Sequence, residues 1–165
     1  MRKKGYFKRK EHIPDPIHAR VDMGRFINYL MQEGKKHTAE KALYGALEKI
    51  KEITKEDPVK VFEKALENAM PLVEVTSRRV GGANYQIPRE IRPDRKFFLA
   101  THWLIAAARG KKGKPIAEKL ADELMLAAKN EGNAIKKKQD MHRMAEANRA
   151  FASLIRTPNS SGERQ

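Results

Sequence analysis

Apolar residues recur at helical spacing through most of the chain, and the residues between the runs mark where each helix starts and stops. Asp22 is placed to cap a first helix with apolar positions Phe26, Ile27, Leu30 and Met31, and Gly34 suits the left-handed position that ends it. A second helix follows at once. Its stripe is Ala39, Ala42, Leu43, Ala46, Leu47, Ile50 and Ile53, with Glu48, Glu52 and lysines on the solvated side. Asp57-Pro58 opens a third, because Asp caps and Pro at the first helical position loses no needed hydrogen bond. Its inner face is Val61, Phe62, Ala65, Leu66 and Ala69, stopped by Pro71.

From Leu72 to Pro88 the texture changes to β-branched residues around Gly81-Gly82, with Val73, Val75, Tyr85 and Ile87 at strand spacing. This predicts a hairpin whose glycines supply positive φ at the turn. Helical spacing resumes from Pro93 to Arg109 (Phe97, Ala100, Leu104, Ala108, with Trp103 nearby), and Gly110 to Lys114 forms a basic loop. Pro115 restarts the chain into a stripe of Ile116, Leu120, Leu124 and Ala127, closed by Gly132. A last helix is expected from about Ala134 to Ile155 through Met141, Met144, Ala145, Phe151 and Leu154. The fold class is therefore mainly α: a six-helix, bundle-like body with a protruding two-stranded β-hairpin arm and a flexible basic N-terminal arm. There is no internal repeat.

A length of 165 residues fits one domain with a core that needs neither disulfide nor metal. The organisation read from the pattern is a basic arm over residues 1–14, one helical domain over 15–156 with the hairpin at about 72–89, and a disordered tail over 157–165. Thr157-Pro-Asn-Ser-Ser-Gly-Glu-Arg-Gln165 has nothing to bury. The start is basic like a signal-peptide head, but it leads into Glu11-His12-Ile13-Pro14-Asp15 instead of an apolar run, so it reads as an arm rather than an export signal.

Charge narrows the partners. Lys plus Arg number 35 against 21 Asp plus Glu, a formal charge of +14. Such an excess repels itself in isolation and matches a polyanion whose condensed counterions are released on contact. An acidic membrane is the rival partner, but no apolar run is long enough to span one, and no segment joins Trp or Phe to a clean basic face. With no cysteine, zinc knuckles and thiol chemistry are excluded by counting, and a cytoplasmic setting fits.

Candidate chemistry is sparse. Gly110-Lys-Lys-Gly-Lys114 has neither the spacing of a phosphate-binding Walker loop nor its Ser/Thr, and His12, His18, His37, His102 and His142 show no metal-ligand spacing. No Gly-x-Ser-x-Gly elbow is present. No cofactor, metal or catalytic residue is expected, and the chain reads as no enzyme.

Placement of the cations says more than their number. Helix starts carry a partial positive charge, so a cation there costs roughly 0.3 to 1 kcal/mol at an exposed site. Yet Lys35-Lys36 lead into the second helix, Lys111, Lys112 and Lys114 precede Pro115, and Lys136-Lys137-Lys138 begin the last. A phosphate reverses the sign, since helix-terminal N–H groups already favour an anion. Any one cluster alone reads equally well as solvated lysines; three together with the basic arm (Arg2, Lys3, Lys4, Lys8, Arg9, Lys10) favour nucleic acid. The hairpin adds Arg78 and Arg79 beside its tip, and Asn84-Tyr85-Gln86 offer hydrogen-bonding and stacking groups for exposed bases.

Together these residues resemble the family of the seventh protein of the small ribosomal subunit, over roughly Asp15 to Ile155. The resemblance is carried by Phe26-Ile-Asn28, Gly34-Lys-Lys36, Glu74-Val-Thr-Ser-Arg-Arg-Val-Gly-Gly-Ala-Asn-Tyr-Gln-Ile-Pro88 and Met144-Ala-Glu-Ala-Asn-Arg-Ala-Phe151. The hairpin string is the specific element; Gly-Lys-Lys only corroborates. The resemblance implies a six-helix body with a hairpin and a primary binder of the 3′ major domain of small-subunit rRNA that nucleates head assembly. It also implies a place at the subunit interface near exit-site tRNA and the messenger path, beside neighbouring head and platform proteins, with no obligate homo-oligomer. By carry-over, Lys35, Lys36, Arg78, Arg79, Arg95 and Lys96 become rRNA contacts, and Arg79, Val80, Gly81, Gly82, Ala83 and Asn84 form the tRNA-proximal tip. Ala152-Ser-Leu-Ile-Arg156 departs from the aromatic ending of bacterial relatives. Two rival classes remain. A DNA-architectural or helix-turn-helix protein explains the charge but not the hairpin, and an RNA-modifying enzyme or chaperone lacks a catalytic constellation in its enzyme form.

Overall fold

Six α-helices and one hairpin follow one another in the expected order in the computed structural model, which describes residues 12–80 and 82–156. They are α1 (Val21–Leu30), α2 (Lys36–Thr54), α3 (Pro58–Ala69), β1 (Val73–Val80), β2 (Ala83–Glu90), α4 (Pro93–Gly110), α5 (Ile116–Ala128) and α6 (Asn133–Ala147), followed by a 3₁₀ segment over Arg149–Arg156. The basic arm Arg2 to Lys10, Gly81 and the tail 157–165 lie outside the described residues.

α5 sits at the centre, packed against α2, α3 and α4. Its stripe Leu120, Ala121, Leu124 and Ala127 is fully buried, and Ala46, Ala65, Ala69, Ala100 and Ala108 on the surrounding helices are equally inaccessible. Small residues let these helices approach closely, while the larger volume is filled by Phe26 and Phe62, whose rings meet edge to face at 5.2 Å. α3 starts as its sequence dictates: the Asp57 carboxylate accepts from the Val59 N–H, and Pro58 occupies the first turn.

Several boundaries fall elsewhere than expected. α1 starts at Val21 with Arg20 in the capping position, so Asp22 lies in the first turn, where it meets Arg20 at 3.2 Å and favours the helix dipole without capping. α1 stops at Leu30; Met31 follows it half-buried, and Gly34, at φ 73°, belongs to the turn into α2. Ile53 is 56% exposed because the last turn of α2 runs past the core. Gly132 does not close α5, which ends at Ala128; it precedes α6 with φ 95° and ψ 175°.

The expected last helix breaks after Ala147. Asn148 bonds the Met144 carbonyl through both its backbone N–H (3.2 Å) and its side-chain amide (2.7 Å), a local competitor to continued helix. Beyond it the chain turns onto the hairpin, with Phe151 beside Tyr85 at 5.3 Å. Met144 and Phe151, read from sequence as core, are 52% and 36% exposed.

The strands pair antiparallel from Val73↔Glu90 to Val80↔Ala83, and Gly82 has φ 91° at the turn. Directly paired residues share a face. Thr76↔Ile87 and Arg78↔Tyr85 therefore lie on one face, and Val75↔Pro88 and Val73↔Glu90 on the other. The two apolar pairs at strand spacing, Val73 with Val75 and Tyr85 with Ile87, thus lie on opposite faces. Near the base both faces are used: Ile87 is buried, and Val73 and Pro88 line a groove with His142 and Ala145 of α6. Ser77 to Arg79 and Gly82 to Asn84 are exposed on the protruding end.

Candidate nucleic-acid interface

The α2 start is uncapped. Lys35 precedes the helix, no side chain caps it, and its first turn holds no acidic residue. Lys35 is 67% exposed and meets Glu33 at 2.6 Å; Lys36 is 4.0 Å from Glu40. Beside Lys35 opens a cleft lined also by Gln32, Thr38, Arg109 and Ile116. Arg109 donates to the Leu30 carbonyl at 2.9 Å, so a cation occupies the negative end of α1 at the same place.

Arg109 and Ile116 bracket the basic loop, so the cleft brings that loop next to Lys35. Within the loop, Lys112 is exposed, and Lys114 is 3.4 Å from Asp122. Lys111 points inward, its Nζ 2.8 Å from Oε2 of Glu123, a carboxylate with no exposed surface. Oε1 of Glu123 accepts from the Ala134 N–H at 3.1 Å, at the start of α6. One buried carboxylate thus joins the loop to the start of α6.

That carboxylate changes the expectation for α6. Its positive end already faces an internal anion, so the helix terminus is not open to an external one. Lys136 and Lys137 are exposed. Lys138 is half-buried and donates to the Asn68 carbonyl at 2.7 Å; burial holds its pKa below the ordinary lysine range.

At the hairpin base, Glu74 is nearly buried and takes two bonds from Arg89, at 2.6 and 3.0 Å, and one from Arg95 at 3.3 Å. Burial alone pushes its carboxyl up, but the two guanidiniums outweigh that and leave it below the usual carboxylate range. Arg95 also lies over the Phe98 ring at 5.0 Å, and Lys96 is half-buried one residue on. Farther out, Arg78 and Arg79 are exposed on β1, opposite Tyr85 and Asn84.

Sequence reasoning missed Glu123, Asn68, Arg89 and Arg109. Glu123 carried a readable signal, standing between Leu120 and Leu124 on a buried stripe, where a carboxylate needs a partner. Among the described residues no helix is long and apolar enough to cross a membrane.

A family model described as ribosomal protein S7p/S5e matches residues 1–149. The small ribosomal subunit protein uS7 of Desulfitobacterium hafniense is 53% identical over 152 residues, spanning 92% of this chain and 97% of the relative. Those of Heliobacterium modesticaldum and Thermotoga neapolitana are 52% and 54% identical, covering 92% and 87% of this chain and 97% and 93% of their own lengths. By its whole-domain match and the level of identity, the chain belongs to the ribosomal protein S7p/S5e family, rRNA-binding structural proteins of the small ribosomal subunit.

Proposed function

We propose that this chain is the primary rRNA-binding protein of the small-subunit head. It takes the 3′ major domain of the rRNA on the basic surface around the α2 start, the 110–115 loop and the α6 start, and thereby nucleates head assembly. The observation that carries this reading is the convergence of the α2 start and the 110–115 loop on one cleft, with the α6 start tied to them through Glu123. Lys35, Lys36, Lys112, Lys114, Lys136 and Lys137 contact phosphates there, Arg95 and Lys96 extend the surface toward the hairpin, and the arm from Arg2 to Lys10 runs along the RNA. Lys111 and Lys138 support the surface from within, since their ammonium groups are engaged by Glu123 and Asn68.

The hairpin serves a different partner. Its base is pinned by Glu74, Arg89 and Arg95, while its outer part is exposed and carries Arg78 and Arg79. A pinned root and an exposed basic outer part suit an arm directed at exit-site tRNA and the messenger path, with neighbouring head and platform proteins on other faces. The protein acts by binding in the cytoplasmic small subunit, as no enzyme and without an obligate second copy.

Binding to an rRNA fragment carrying the 3′ major domain, beside duplex DNA of equal length and across salt concentrations, tests this. With about six to ten phosphates neutralised, rRNA affinity falls roughly 10³ to 10⁵-fold between 50 and 200 mM salt. Equal affinity for the DNA duplex, or a flat salt response, would refute it.

A further inference from the structure

The Glu123 carboxylate has no exposed surface and yet touches two elements that carry exposed lysines. Oε1 accepts from the Ala134 N–H at 3.1 Å, and Oε2 faces Lys111 Nζ at 2.8 Å as an ion pair without a well-aimed hydrogen bond. Gly132 lets the chain pass close by: a Cβ there would stand 2.8 Å from Oε1. Such a group is costly to bury unless it is paired, and here its two oxygens meet partners on two different elements. A charge retained there tethers what it touches.

We propose that Glu123 is a positioning residue for rRNA binding. It locks the 111–114 loop, through Lys111, to the first turn of α6, and so sets the spacing between Lys112 and Lys114 on one side and Lys136 and Lys137 on the other. The inference rests on the reading of these lysines as phosphate contacts. Phosphates along an RNA strand have fixed separations, so a basic surface gains affinity when its cations are held at matching intervals rather than on a free loop. Lys111 spends its charge internally, and its neighbours gain a defined place in return.

The test is a double-mutant cycle read by rRNA affinity in the full chain. Glu123→Gln keeps an oxygen that can accept from Ala134 and removes the charge that holds Lys111. Lys112→Ala with Lys114→Ala removes the cations it is inferred to position. At a temperature where circular dichroism shows native helix in every variant, Glu123→Gln is expected to weaken binding about tenfold and to flatten the slope of log affinity against log salt by about 0.7 to 0.9 per lost phosphate. The lysine pair loses as much alone, and adding Glu123→Gln to it costs less than twofold more.

A lower melting temperature with unchanged affinity and slope would make Glu123 merely structural and overturn the proposal. So would losses that multiply, which would leave the lysines as rRNA contacts with no dependence on Glu123. If the lysine pair costs nothing, the loop contact itself fails and the positioning role fails with it. Should Glu123→Gln alone unfold, Glu123→Gln with Lys111→Met removes both charges together, and its affinity and slope are read by the same criteria.

Discussion

The backbone N–H of Leu72 donates to Nε2 of His142 at 3.1 Å, so the root of the hairpin hangs on a ring nitrogen of α6 that must stay unprotonated. Burial, and then the nearby Lys138 ammonium, hold the His142 pKa below its ordinary 6.5. Protonation therefore costs more in the folded chain than in the unfolded one. The stabilising contribution is complete above about pH 6.5 and is lost as pH falls from there through the folded value. Urea midpoints at pH 7.5 and 5.5 should fall for the parent and fall less for His142→Gln. Equal pH responses would show that this contact is not a titrating one. The range stays above the region where the Glu74 carboxyl, itself held low, begins to lose its own contribution.

Changing Lys35 and Lys36 to Ala should weaken rRNA binding by about tenfold or more while leaving helix content unchanged. Both side chains are substantially exposed, and their acidic neighbours Glu33 and Glu40 give only surface pairs, each worth about 1 kcal/mol or less. Fluorescence anisotropy for binding and circular dichroism for fold separate the two effects. Lost helix would make the pair structural.

Gly132→Ala should destabilise the chain by roughly 2 to 4 kcal/mol. Its φ of 95° with ψ near 175° lies where only glycine is at ease, and the new methyl would crowd Oε1 of Glu123 at 2.8 Å. Thermal or urea denaturation reads this directly. A change below about 0.5 kcal/mol would mean that the α5–α6 turn adapts at little cost.

Element order was legible because apolar spacing and breakers agreed. Asp57-Pro58 opened α3 as read, and the glycine pair marked the hairpin. What escaped the sequence was tertiary. Met144 and Phe151 continue a helical period, but the body ends before them and Asn148 turns the chain onto the hairpin. Val75 and Ile87 each fit strand alternation, yet only the register shows that they face opposite ways. In the site, the lysine clusters were visible as charge, while the division between outward Lys112 and inward Lys111 depends on a carboxylate twelve residues later in the chain. Charge run alone cannot tell them apart.

The hairpin end should be separable from the body. The Glu74 pair and buried Ile87 lie near the root, and the exposed Ala83 and Asn84 contribute nothing to the core. Removing Val80 to Asn84 and rejoining the strands with a short turn should therefore cost no more than about 1 kcal/mol of global stability. Small subunits containing the shortened protein should still assemble a head, because the lysines of the helical body are untouched. If the arm reaches exit-site tRNA, the same ribosomes should release that tRNA faster and hold the reading frame less well, with Arg78→Ala plus Arg79→Ala giving a weaker form. The measurement is tRNA dissociation from purified ribosomes carrying normal amounts of the variant. Unchanged dissociation and frameshifting would remove the tRNA role, whereas failed head assembly would place the hairpin end within the primary rRNA anchor.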